Sequence, residues 1–235
     1  MKSGNDQRLP VVGILGGLGP LAGAVFYKRL VELTPANADS DHVSVILGSD
    51  PTIPSRIAHL SGSGPSPVPA LIKVARMLMD AGATLLVIPS STTHAYYEEL
   101  QQAIECPIIN LPVAVAKHMS RSGYSRVGLL VTEATVRAKV YEGVEGQNFV
   151  PVYGSDLARG RVQEVIRLVK VGVQLEMAKG VLEAIVTEPC WNDCDALLLG
   201  CTELAALGSV SAPVPVVSAD DVLAFAVLSA IGKEA

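Results

Sequence analysis

Short apolar runs alternate along the chain with longer segments in which apolar positions recur every three or four residues. P-V-V-G-I-L-G-G, V-S-V-I-L-G-S-D, A-T-L-L-V-I-P-S and P-I-I-N-L punctuate the first half, and R-V-G-L-L-V, D-A-L-L-L-G-C and P-V-P-V-V-S the second. Apolar runs of this length, bounded by Gly, Pro or Ser, predict strands buried on both faces. Between them, P-L-A-G-A-V-F-Y-K-R-L-V-E-L, V-P-A-L-I-K-V-A-R-M-L-M-D-A-G and H-A-Y-Y-E-E-L-Q-Q-A-I carry the helical period. Pro20 stands where a first helical residue is expected, and Gly82 where a helix should stop. Strand and helix in strict alternation predict an α/β fold with parallel strands and right-handed crossovers.

The second half repeats the plan of the first. Gly128 in R-V-G-L-L-V-T-E-A-T matches Gly13, 115 positions earlier. Cys201 in L-L-L-G-C-T-E matches Ser90 in L-V-I-P-S-S-T-T, 111 positions earlier, and Pro215 matches Pro107, 108 positions earlier. Three signals in one order at a nearly constant offset predict two pseudosymmetric, Rossmann-like lobes, each a mainly parallel sheet flanked by helices. Residues 1–113 with 214–235 are expected to form the first lobe and 114–213 the second. Ligands of open parallel sheets bind beyond the carboxyl ends of the strands. Ser90 and Cys201 should therefore face each other across one cleft.

Composition narrows the class. Apolar residues make up 49% and charged residues 17% of the 235, a globular and well-buried balance. A net charge of −5 gives no basic footprint for nucleic acid or an anionic membrane. No run approaches the roughly 18 apolar residues of a membrane span. The start, M-K-S-G-N-D-Q-R-L-P, lacks the apolar stretch of a secretory signal and reads as a short disordered leader on a cytoplasmic protein. Cys106, Cys190, Cys194 and Cys201 do not make a disulfide framework in so long a chain. Cys190-x-x-x-Cys194 is off the usual zinc gap and lacks a following His pair, so no metal is expected. Cys106, Cys190 and Cys194 read as small buried thiols.

The chemistry concentrates at strand ends. Cys201 ends a strand and precedes Thr202, Glu203 and a helical pattern, a setting whose amide donors and dipole favour thiolate. Glu203 is placed to orient Cys201 or to cap its helix. Ser90 opens a run of hydroxyls with Ser91, Thr92 and Thr93, either a helix cap or a ring of donors for a ligand. The G-G-L-G turn around Leu18 departs from the dinucleotide spacing, and Pro20 removes an amide from the cradle. It suits backbone contact with a substrate carboxylate better than a nicotinamide cofactor. Arg56, in P-T-I-P-S-R, sits on a proline-stiffened loop as a candidate carboxylate clamp. Thr132 and Thr135 match the glycine turn of the first half and add hydroxyls to the same rim. His94 reads as a helix-start residue rather than a base.

Taken together, G-I-L-G-G-L-G-P-L-A, L-T-P-A-N-A-D-S-D-H, D-P-T-I-P-S-R, I-P-S-S-T-T-H, L-L-V-T-E-A-T-V and L-G-C-T-E-L resemble the aspartate/glutamate racemase family, in its aspartate racemase branch. The likeness runs in order over nearly the whole chain. It implies two pseudosymmetric lobes, often paired as homodimers, and racemisation of a small amino acid without a cofactor. Two cysteines of the family face each other across the substrate α-carbon; one takes the α-proton and the other delivers a proton to the opposite face. Residue by residue, the second cysteine falls on Cys201 and the first on Ser90, in a motif that is usually P-C-N-T-A-H. Ser91 stands for the usual Asn. The resemblance further assigns Arg56 to the substrate carboxylate, places Thr92, Thr132, Thr135 and Glu203 around the substrate, and matches Lys170 in L-V-K-V-G to a substrate-side lysine.

Serine at the first position changes the expectation. A hydroxyl is a far weaker acid than a thiol and needs an adjacent base to act as one. No such base is fixed beside Ser90 by sequence, unless it is His94. The resemblance ties the second-half cysteine to the L-enantiomer, so a racemase of aspartate or glutamate biased to L is expected. Two other readings stand beside it: a one-thiol decarboxylase or lyase, and a binding protein for an acidic amino acid or dicarboxylate.

Overall fold

The computed structural model of the chain describes residues 10–172 and 175–233; apart from Pro10, the expected leader lies outside them. The first half runs β1 (Val11–Gly16), α1 (Pro20–Leu33), β2 (Ser44–Ser49), α2 (Arg56–Leu60), α3 (Val68–Asp80), β3 (Leu85–Val87), α4 (Tyr97–Ala103) and α5 (Leu111–Arg121). The second runs β4 (Arg126–Leu130), α6 (Glu133–Arg137), β5 (Val150–Val152), α7 (Asp156–Lys170), α8 (Leu175–Ile185), β6 (Ala196–Leu199), α9 (Thr202–Ala205), β7 (Val216–Ser218) and α10 (Ala219–Ala230). The strands form two parallel sheets, β2-β1-β3 and β5-β4-β6-β7.

The internal repeat is written into the register of these sheets. Gly13 pairs with Leu86 in the first sheet and Gly128 with Leu197 in the second. A Cβ on Gly13 would lie 2.6 Å from the Leu86 side chain, and one on Gly128 would lie 2.5 Å from that of Leu197. The same close packing of strand against strand thus demands glycine twice. Leu86 in turn bridges Ile108, as Leu197 pairs with Val216. The three pairs of matching positions are 115, 111 and 108 residues apart, the offsets expected from sequence.

Three cores hold the layers together. Leu15, Leu71, Leu78, Leu86 and Leu100 fill the outer side of the first sheet, and Leu130, Val165, Leu182 and Leu197 that of the second. The third joins the two halves: Val12, Ile14 and Phe26 from the first meet Leu129, Leu198, Val222 and Leu223 from the second. Burying a Leu, Ile or Phe side chain contributes about 1.5–3 kcal/mol, so this shared core ties the two lobes together.

Some elements differ from expectation. P-I-I-N-L contributes a single bridge rather than a full strand. The expected boundary at 113/114 falls inside α5, and segment 214–235 is divided: β7 extends the second sheet beside β6, while α10 packs on α1 and α5. H-A-Y-Y-E-E-L-Q-Q-A-I begins as a 3₁₀ turn over Ser91–Tyr96 before α4. Helix α6, the counterpart of the long α1, stops after five residues, because Lys139 takes a left-handed conformation (φ 51°) and turns the chain inward toward Tyr141. Among the described residues, no helix is long and apolar enough to cross a membrane.

Candidate active site

Both sheets end their central strands at the same place. The chain leaves β3 through Ile88 and Pro89 to Ser90, and leaves β6 through Gly200 to Cys201. Ser90 stands at the position before the 3₁₀ turn and Cys201 at that before α9, neither with its side chain bonded to a backbone amide of the turn that follows. The two walls are tied by a reciprocal pair of hydrogen bonds. Ser91 Oγ donates to the Gly200 carbonyl (2.7 Å), and Thr202 Oγ1 lies 3.2 Å from the Pro89 carbonyl. The hydroxyl after each central residue therefore reaches the carbonyl before the other, and both pairs keep the 111-residue offset of Ser90 and Cys201.

Leu18, Arg56, Ser90, Ser91, Thr92, Thr132, Lys170, Cys201, Thr202 and Glu203 line this one cleft. Thr135 joins it at second hand: Thr92, Thr132 and Thr135 form a closed triangle of hydroxyls with sides of 2.8–2.9 Å. That triangle crosses from the first half to the second. Thr132 also caps α6 by accepting from the Thr135 amide. Arg56 starts α2 behind its cap Ser55 and donates to the Leu18 carbonyl at 2.6 Å. The glycine turn, expected to meet substrate through its amides, thus also seats the guanidinium. Burial pulls Arg56 below its ordinary value, while Tyr96 and Glu203 oppose that shift. Lys170, at the end of α7, places Nζ 3.6 Å from Glu203 Oε1.

The state of Cys201 corrects the expectation of a ready thiolate. Its thiol donates to Glu203 Oε2 at 2.7 Å. Burial, then the charge of Glu203, pushes the thiol well above its ordinary value, and Lys170 only partly offsets this. With only four residues, α9 supplies little dipole, since the macrodipole grows with aligned peptides. Cys201 therefore rests as a thiol beside a carboxylate that can take its proton. Glu203→Gln should lower the thiol's pKa and raise its alkylation rate by iodoacetamide near neutral pH by about threefold or more. A rate that stays the same or falls would contradict the assignment.

His94 is not a base for Ser90. It is buried, Nε2 accepts from the Leu111 amide, and Nδ1 donates to the Ser90 carbonyl; burial pulls its pKa down. Both nitrogens serve the backbone. Ser90 Oγ instead accepts a hydrogen bond from Thr93 Oγ1 at 2.9 Å, which leaves its own proton available to donate. Cys106 and Cys194 are buried as expected, whereas Cys190 is partly exposed.

Sequence reasoning missed Tyr141 and Asp220. Tyr141 is fully buried with its hydroxyl 2.6 Å from Ser91 Oγ, and Asp220 is buried with Oδ1 3.0 Å from Thr202 Oγ1. Burial pushes the Asp220 carboxyl up to about 7; Glu203 and Asp221 add to this and Thr202 opposes it. Asp220 lies just past the carboxyl end of β7, where parallel sheets gather functional groups. That was the signal available for it.

The two α/β lobes set Ser90 and Cys201 at matching strand ends on the walls of one cleft. The sequence pattern of the family described as Asp/Glu/Hydantoin racemase matches residues 15–227, and the chain belongs to that family. By class it is an amino-acid racemase, an isomerase. It is similar to the broad specificity amino-acid racemase RacX of Bacillus subtilis (strain 168), 25% identical over 224 residues that cover 93% of this chain and 97% of that protein. Its fold is similar to that of Picrophilus torridus aspartate racemase, with a TM-score of 0.83, 32% identity and coverage of 96% of this chain and 95% of that one. An aspartate racemase homologue from Pyrococcus horikoshii OT3 shares the fold at a TM-score of 0.75 and 21% identity, over 96% of this chain and 100% of that one.

Proposed function

We propose that the protein racemises an acidic amino acid, aspartate or glutamate, with Cys201 as its one thiol and a bias to the L-enantiomer. The observation that carries this reading is the pair Cys201–Glu203 set at the strand end opposite Ser90 in a cleft with two cations, Arg56 and Lys170. An acidic amino acid presents two carboxylates and one ammonium. Arg56 and Lys170 match the carboxylates, and Glu203 with the threonine triangle offers acceptors for the ammonium. Glu203 takes the proton of Cys201, and the thiolate removes the α-proton from its side. Ser90 hands its own proton to the other face and regains one from solvent, to which Glu203 returns the proton it took. No cofactor enters these steps.

Exchange and inversion then separate. Thiolate abstraction followed by return from the same sulfur exchanges the α-proton without inverting the centre. Inversion needs Ser90 and is slow. A resting thiol also suits a one-thiol decarboxylase, whose product would be released carbon dioxide. NMR of L- and D-aspartate and L- and D-glutamate in deuterated water should show α-proton loss with an L-substrate first and inversion later. Silence with all four, with carbon dioxide released from a panel of substituted malonates, would replace this reading with the decarboxylase.

A further inference from the structure

At the floor of the cleft one proton stands between two acceptors. Thr202 Oγ1 is within hydrogen-bond distance of both the Pro89 carbonyl (3.2 Å) and Asp220 Oδ1 (3.0 Å). A hydroxyl has one proton to give and lone pairs with which to receive. The carbonyl can only accept. An ionised Asp220 can also only accept, and one of the two then goes without. A protonated Asp220 donates to Thr202, Thr202 donates to Pro89, and both the hydroxyl and the carbonyl are served.

The opposite half of the clasp already has this form. Tyr141 donates to Ser91 and Ser91 donates to the Gly200 carbonyl, with burial pushing the phenol far above its ordinary value so that it stays protonated. In the matching chain the place of Tyr141 is taken by Asp220. We propose that Asp220 is the protonated terminal donor of the relay Asp220–Thr202–Pro89, a positioning residue that holds the Ser90 wall against Cys201, and that its ionisation loosens this hold. The proposal rests on the racemase reading of the cleft.

The surroundings favour the proton. Asp220 is 3% exposed, and among the described residues its Oδ2 has no hydrogen-bond partner, so ionisation would place charge on a buried oxygen that nothing serves. The charged groups around it are mostly acidic. Glu203 acts from α9 and Asp221 from α10 itself, and the Cys201 thiol and Tyr141 phenol lie on the cleft side. On α1, Arg29 is committed to a bidentate pair with Asp221 and to Glu32. Helix α5 brings Leu111, Val115 and Met119 to the core it shares with α10. A cavity of about 550 Å³ between α1, α9 and α10 has Asp220 in its wall and gives its proton a path to solvent. The rise of this carboxyl to about 7 agrees with the geometry.

Asp220→Asn keeps an N–H donor toward Thr202 and removes the titration. The α-proton exchange rate of Asp220→Asn divided by that of the wild type should climb at least about fivefold between about pH 5.5 and about pH 8.5. The division cancels the titration of Cys201. In a Thr202→Val background the same ratio should stay flat. A flat ratio with Thr202 present would overturn the proposal. Infrared difference spectra, wild type minus Asp220→Asn, read the carboxyl without turnover. Loss of its protonated band around pH 7 supports the relay, and loss below about pH 5 overturns it. If no substrate exchanges at any pH, the racemase reading fails, while the infrared titration still decides where the proton sits.

Discussion

Replacing Cys201 with alanine is expected to cut α-proton exchange of the L-enantiomer by about 10²–10⁴-fold at every pH. Cys201 is the thiol of its wall, and its proton acceptor is already in place at 2.7 Å. Glu203 is a poor substitute, since its carboxylate stays paired with Lys170 and lies 2.7 Å from where the sulfur was. Moving a catalytic group by about 1 Å can cost about 10²-fold. The check is deuterium incorporation by NMR, with circular dichroism to show that the variant is folded. Exchange that persists in the alanine variant would mean that another group abstracts the proton, and Cys201 would lose its role.

The second large effect runs the other way. Ser90→Cys should bring D-enantiomer exchange from near background up by at least about 10²-fold and make inversion keep pace with exchange. Thr93 Oγ1 already donates to the atom at this position, and the same bond to a sulfur would favour its thiolate. The serine hydroxyl can give its proton to a carbanion but does not form the alkoxide needed to abstract one, whereas a thiol near about 8.5 works in both directions. Polarimetry with D-aspartate and D-glutamate reads the inversion directly. An equally slow Ser90→Cys enzyme would show that something other than the missing thiol limits that face.

Much of this was legible in the chain before any geometry. The glycines at 13 and 128 announced matching strands, and the register placed each against a leucine of the neighbouring strand. Of the candidate residues, ten line one cleft and Thr135 touches it through Thr92 and Thr132. What could not be read was protonation. Cys201 at a helix start argued locally for thiolate, yet burial and Glu203 reversed the sign, and both depend on what packs over the site. The same holds for His94, whose ring nitrogens are claimed by backbone groups at Ser90 and Leu111. Nor did local pattern show that α6 would be short, because the turn at Lys139 serves to bring Tyr141 under Ser91.

The crossed bonds from Ser91 to Gly200 and from Thr202 to Pro89 have a mechanical meaning. They attach at the residues immediately beside Ser90 and Cys201, so they act as a hinge pin laid along the base of the cleft. Any opening that keeps both bonds must turn about that pin. Arg56 and Lys170, carried at the start of α2 and the end of α7, would move with their own lobes, while the spacing of Ser90 and Cys201 stayed nearly constant. Substrate could then enter and leave without resetting the gauge between the two residues proposed to carry protons.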